Sequence, residues 1–196
     1  MAGVGVPAHV PTVVRGADGV TRCRWATETG RDLTAYHDRE WGTPVYDEAA
    51  LFEALALTYF ENGLSWALVF DKRDNLRAAF RGFRPADVAA MTADDVERLL
   101  ADATIIRHRG KIEATVHNAR LLTQQPLAPL AWAHRPRRPH RLRGWDDGRM
   151  TSPESRALSV SLRRSGFRYV GPIVAHSFMH AVGIENGHFD GCFRAP

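Results

Sequence analysis

Apolar residues along this chain recur at helical spacing. Between Asp47 and Glu61, Phe52, Leu55, Ala56 and Tyr59 fall at i, i+3, i+4 and i+7, which places them on one face of a helix. Asn62-Gly63 supplies the stop. A second helix is predicted from Ser65, another over 72–80, and a short one over 86–91 with Pro85 in its first turn. Thr92 is placed to cap the next helix, whose first turn carries Asp94 and Asp95 where the helix dipole favours negative charge. Leu99, Leu100 and Ala103 form its apolar side.

Arg107 to Gly110 reads as a polar hairpin ahead of a helix from about Lys111, apolar at Ile112, Val116, Ala119 and Leu122. Ser152-Pro153-Glu154 restarts helical structure by capping chemistry, and that helix runs to Arg164 and stops at Gly166. A last helix covers residues 172–182. No strand pair and no internal repeat is evident, so the expected fold class is all-α.

The breaks in this pattern define the organisation. Pro7 and Pro11 interrupt an N-terminal stretch without a basic start, so residues 1–20 read as a flexible extension rather than a signal peptide. Residues 21–196 read as a single domain of one or two helical lobes. Within it, residues 126–150 form a Pro/Arg-rich loop, and the AHRPRRPHRLR segment over 133–143 fits either a solvated linker or a DNA-contacting loop. No run approaches the roughly 18 apolar residues of a membrane span. A cytoplasmic location with no membrane partner is the expectation.

Charge shifts the picture modestly. The net charge of +4 favours a polyanionic partner. Lys72 and Lys111 are the only lysines among 26 basic residues, a skew typical of a GC-rich genome that dilutes the meaning of any single arginine. The two cysteines, Cys23 and Cys192, stand near opposite ends of the chain. With His37 and His188 they make a Cys₂His₂ set suited to tetrahedral zinc, and four protein ligands would make such a site structural. The spacing matches no common zinc finger, and two independent buried thiols fit it as well.

Several ordered segments resemble the 3-methyladenine DNA glycosylase I family. They are Arg22-Cys23-Arg24-Trp25, Tyr36-His37-Asp38-Arg39-Glu40-Trp41-Gly42 and Gly63-Leu64-Ser65-Trp66. Further on come Ile105 through Ile112 with Asn118-Ala119, Gly166 through Gly171, Ser177-Phe178-Met179, and Asn186-Gly187-His188 through Cys192. The resemblance runs from about Thr21 to Cys192. It implies a compact helical helix-hairpin-helix glycosylase fold, with a structural Zn²⁺ on Cys23, His37, His188 and Cys192 joining the N- and C-terminal segments. It also implies base-excision repair: hydrolysis of the N-glycosidic bond of an alkylated, cationic purine in double-stranded DNA, by a monomeric and nucleoid-associated enzyme.

Under that resemblance the target nucleotide is flipped out of the helix. Leu64 is then either an apolar wedge in the vacated stack or a core leucine at a helix start. Arg107, Arg109, Gly110 and Lys111 make a phosphate-binding hairpin, against the alternative of a solvated charged turn. Tyr36 and Trp66 match the aromatic base pocket, where electron-rich faces attract a cationic base. Trp25 and Trp41 fit the same wall or core packing, with core packing favoured.

The chain departs from the family at its recognition positions. The usual glutamate five residues before Gly-Leu-Ser-Trp is Thr58, and Glu61 stands where the family has glutamine. Residues i and i+3 share a helix face, so the carboxylate has moved one turn. A family threonine is replaced at Ile173 and a family tyrosine at His176. The expected base-pocket and catalytic positions are therefore Tyr36, Thr58, Glu61, Trp66, Ile173 and His176, with altered preference toward other or bulkier adducts. A lesion-binding protein without catalysis is the competing reading.

Overall fold

A computed structural model describes residues 10–27, 33–148 and 150–196. Ten α-helices dominate them: α1 (Thr34–Arg39), α2 (Glu48–Glu61), α3 (Trp66–Asp71), α4 (Arg73–Ala79) and α5 (Pro85–Ala89), followed by α6 (Ala93–Ala101), α7 (Arg109–Leu122), α8 (Leu127–Trp132), α9 (Pro153–Arg164) and α10 (Pro172–Ala181). No helix among the described residues is long and apolar enough to cross a membrane.

The local signals act as their chemistry dictates. Asp47 and Ser65 accept from backbone N–H groups three residues on and so begin α2 and α3. Thr92 and Asp95 form a reciprocal capping box on α6, as Ser152 and Ser155 do on α9. α2 is the spine. It buries Leu51, Phe52, Leu55, Ala56, Leu57, Thr58, Tyr59 and Phe60, more than one face, because α5, α7, α8 and α10 surround it. Both ends of α2 therefore take fixed positions in the molecule.

Three features differ from the sequence expectation. First, a short antiparallel pair joins β1 (Val13–Arg15), inside the stretch read as a loose extension, to β2 (Thr21–Cys23) at the start of the domain; residues 1–9 of that stretch lie outside the described residues. Three-residue strands are too short for alternation to reveal. This pair is held from elsewhere: Phe193 donates to the Thr21 carbonyl at 2.9 Å. Second, α8 lies within the Pro/Arg-rich segment, of which Arg149 lies outside the described residues. Its exposed N–H groups at Leu127 and Ala128 donate to the Glu48 carboxylate at 2.8 and 2.9 Å, a cap supplied from the first turn of α2. Third, α7 begins at Arg109 rather than Lys111, because His108 caps it through Nδ1.

Glu48→Ala should cost about 1–2 kcal/mol in urea unfolding. Hydrogen exchange should speed up at Leu127 and Ala128 before it does elsewhere.

Candidate base pocket and metal cluster

β2 and α1 bring Cys23 and His37 against the C-terminal segment that carries His188 and Cys192, and all four side chains are buried. The His188 Nδ1 lies 3.2 Å from the His37 Nε2, and Cys192 Sγ lies 3.4 Å from the same nitrogen. Both sulfurs lie 3.7 Å from His188 Nδ1. The cluster is oriented from outside. Asp38 accepts from His37 Nδ1 at 2.8 Å, leaving Nε2 as the inward lone pair. Arg22 in turn grips both Asp38 oxygens at 2.8–3.0 Å, which holds that carboxyl below the usual range.

Cys192 and burial push the Cys23 thiol up, while Cys23 holds the Cys192 thiol down, the behaviour of two buried sulfurs sharing one proton. A divalent cation among the four donors removes that competition. The cluster can hold one metal ion.

The same segments build a wall. Trp25 stands two residues after Cys23, Tyr36 directly before His37, and Trp41 packs edge-on to His188 with centroids 4.6 Å apart. Trp25 and Trp41 cross at 4.9 Å, and Tyr36 and Trp66 face each other at 5.6 Å. These four rings, with Thr58 and Glu61, line a cavity of about 650 Å³. Trp25 and Trp41 are thus cavity wall rather than closed core. Ser177 and His180 also line it, although no motif marked either as a pocket residue.

Thr58 and Glu61 meet in the cavity as the helical spacing implies. Thr58 donates its hydroxyl to the Leu55 carbonyl at 2.8 Å. Glu61 finds no donor or cation among the described residues, and burial pushes its carboxyl up. His176 and Ile173 do not join them. His176, one turn before His180 on α10, lies 3.9 Å from Glu185 and lines a different cavity, and Ile173 is 49% exposed. The pocket therefore changes at two of the four expected positions.

Leu64 is 41% exposed at the tip of the turn between α2 and α3, so it is no core leucine. At the hairpin, the Arg109 and Gly110 N–H groups have no partner among the described residues. A Cβ at Gly110 would meet the Tyr169 hydroxyl, so that side chain would have to shift. Arg107 is exposed and forms no ion pair among the described residues, whereas Arg109 is clamped by Glu97 at 2.7 and 2.9 Å. Lys111 corrects the expectation outright. It is 4% exposed and points inward, donating to the Phe60 and Asn62 carbonyls at 2.9 and 2.7 Å. Its ammonium is a brace at the end of α2, not a contact for an external phosphate.

Residues 25–195 match the model of the methyladenine glycosylase family. The chain belongs to that family. It is 43% identical over 183 residues to DNA-3-methyladenine glycosylase 1 of Escherichia coli (strain K12), covering 89% of this chain and 97% of that protein. A crystal structure of 3-methyladenine DNA glycosylase I superposes with a TM-score of 0.83 at 41% identity, over 89% of this chain and all of the other. A variant of 3-methyladenine DNA glycosylase I in complex with 3-methyladenine matches with a TM-score of 0.80 at 31% identity, over 89% of this chain and 97% of that one.

Within the family scaffold, Glu61 carries a measurable cost. Its folded pKa lies above its unfolded value, so the ionised carboxylate opposes folding. That opposition is absent below the unfolded pKa of about 4.3 and complete above the raised folded value. Glu61→Gln should therefore raise the thermal midpoint near neutral pH and leave it unchanged in acid, as read by calorimetry at both pH values.

Proposed function

We propose that this chain is a monofunctional base-excision glycosylase that releases an alkylated adenine, 3-methyladenine or a bulkier cationic relative, from double-stranded DNA. The observation that carries this reading is the aromatic-walled cavity with one uncompensated carboxylate, Glu61, beside the exposed Leu64. A cavity of this size suits a flipped purine. Leu64 fills the gap the base leaves. Helices α6 and α7 with the loop between them act as the helix-hairpin-helix, docking a phosphate on the Arg109 and Gly110 N–H groups at the start of α7, with Arg107 adding salt-sensitive attraction.

The chemistry asks little of an acid. An N3-alkylated adenine already carries positive charge, which the Tyr36 and Trp66 faces and the Glu61 carboxylate favour over a neutral base. The bond from sugar C1′ to the base nitrogen breaks with both electrons leaving on the base, which becomes neutral. Water adds to the sugar cation, and its proton passes to solvent. Thr58, back-bonded to Leu55, keeps only its acceptor lone pairs for the base edge. Ile173 and His176 are assigned no part in this pocket.

The four-residue cluster suits zinc. Tetrahedral Zn–N and Zn–S bonds place two nitrogens about 3.4 Å apart and nitrogen and sulfur about 3.6 Å apart, and the cluster's contacts lie between 3.2 and 3.7 Å. With Cys23, His37, His188 and Cys192 all engaged, the ion clasps the chain ends and leaves no position for a catalytic water. The protein acts as a monomer and a single domain, in the cytoplasm on nucleoid DNA.

Incubation with broadly methylated duplex DNA should free 3-methyladenine or another cationic alkylpurine, identified chromatographically, with slower release as pH falls through the raised Glu61 pKa. Leu64→Ala should slow release about tenfold or more while leaving folding intact. Tight binding with no freed base would replace this reading with lesion shielding, and neither binding nor release from any adduct would refute both.

A further inference from the structure

One cluster belongs neither to the base pocket nor to the Cys/His clasp. Glu185 is 4% exposed, just beyond α10. Its Oε2 accepts from the Ser152 hydroxyl at 3.0 Å. Its Oε1 faces three imidazoles: His140 Nδ1 at 2.7 Å, His180 Nε2 at 3.8 Å and His176 Nε2 at 3.9 Å. Among the described residues no lysine or arginine pairs with it. Its partners are instead a hydroxyl and imidazoles.

Two of the imidazoles stand one turn apart on α10, with ring centroids 4.2 Å apart. The donor atoms of His176, His180 and Glu185 all lie within 4.8 Å of one another. They open onto a polar cavity of about 730 Å³ that is also lined by Asp147, Arg138, Arg141 and Arg143. Two imidazoles and one carboxylate are a hard-to-borderline donor set, unlike the thiolate cluster.

We propose that His176, His180 and Glu185 form a second, thiolate-free site for a divalent transition ion such as zinc, nickel or cobalt. His140 donates to the carboxylate from outside and orients it, as an outer partner does at a metal centre. Bonds of 2.0–2.2 Å bring nitrogen and oxygen to about 3.4 Å, so each imidazole nitrogen closes on the carboxylate by roughly half an ångström.

Three protein ligands leave one coordination position toward the polar cavity. His180 also lines the base pocket, so the ion would stand on that pocket's flank. The site is separate from the base-excision reading, and either can fail alone.

Cobalt titration of the full, metal-stripped chain tests it. The expected result is two equivalents: one with thiolate-to-cobalt charge-transfer absorption, and one with ligand-field bands and no thiolate band. Glu185→Gln should abolish the second equivalent and leave the thiolate band unchanged. Uptake of a single equivalent by the native chain would overturn the proposal, as would two equivalents in Glu185→Gln. If that variant does not fold, the native chain's spectrum decides: a second, thiolate-free species supports the site and its absence refutes it.

Discussion

The Lys111 ammonium fixes the geometry on which everything else depends. It is carried in the first turn of α7 and donates to the last carbonyls of α2, Phe60 and Asn62. Those carbonyls lack intrahelical partners, and a charge-assisted donor in a buried place holds them far more firmly than water does. One side chain thus sets three distances at once: Glu61 in the cavity, Leu64 on the turn beyond it, and the hairpin N–H groups directly before Lys111. Lys72 braces the same region from the other side, donating to the Ala103 and Thr104 carbonyls of the hairpin loop at 3.2 and 2.7 Å. The chain's only two lysines thus serve as compact ammonium ties, Lys111 from the hairpin to the wedge turn and Lys72 from the α3–α4 junction to the hairpin loop. A planar guanidinium has a different shape and does not replace an ammonium reaching two converging carbonyls.

The metal cluster acts on function at one remove. Each ligand from the N-terminal half has an aromatic neighbour in sequence, Trp25 after Cys23 and Tyr36 before His37, and both neighbours line the cavity. The contact between these chain segments therefore also erects the cavity wall. Gly187 makes this packing possible, since a Cβ there would press on both Trp41 and His180 at under 3 Å.

What could be read in the sequence follows from the range of the forces involved. The caps at Asp47, Ser65, Thr92 and Ser152 are made within three residues, so the helices they start are legible directly. The cap on α8 comes from Glu48, and the β1–β2 pair is held by the tail at Phe193; neither partner is near in sequence, and both elements escaped the pattern. Lys111 looked like a phosphate contact because basic residues in a hairpin usually face out, and its carbonyl partners lie some fifty positions away. The Thr58 and Glu61 pairing was legible, because i and i+3 on a regular helix share a face. His176 was not, since how far along α10 the pocket reaches depends on packing against α2 and α9. One turn later His180 lies on the wall, unmarked by any motif.

The central claim is that Glu61 performs the task the family gives to a carboxylate one turn earlier. The most direct measurement is the single-turnover rate of base release from alkylated duplex for the native chain, Glu61→Gln, and the double variant Thr58→Glu/Glu61→Gln. A large loss in Glu61→Gln, on the order of a hundredfold for one charged contact to the reacting base, with substantial recovery in the double variant, is the predicted result. Release by Glu61→Gln at the native rate would contradict it.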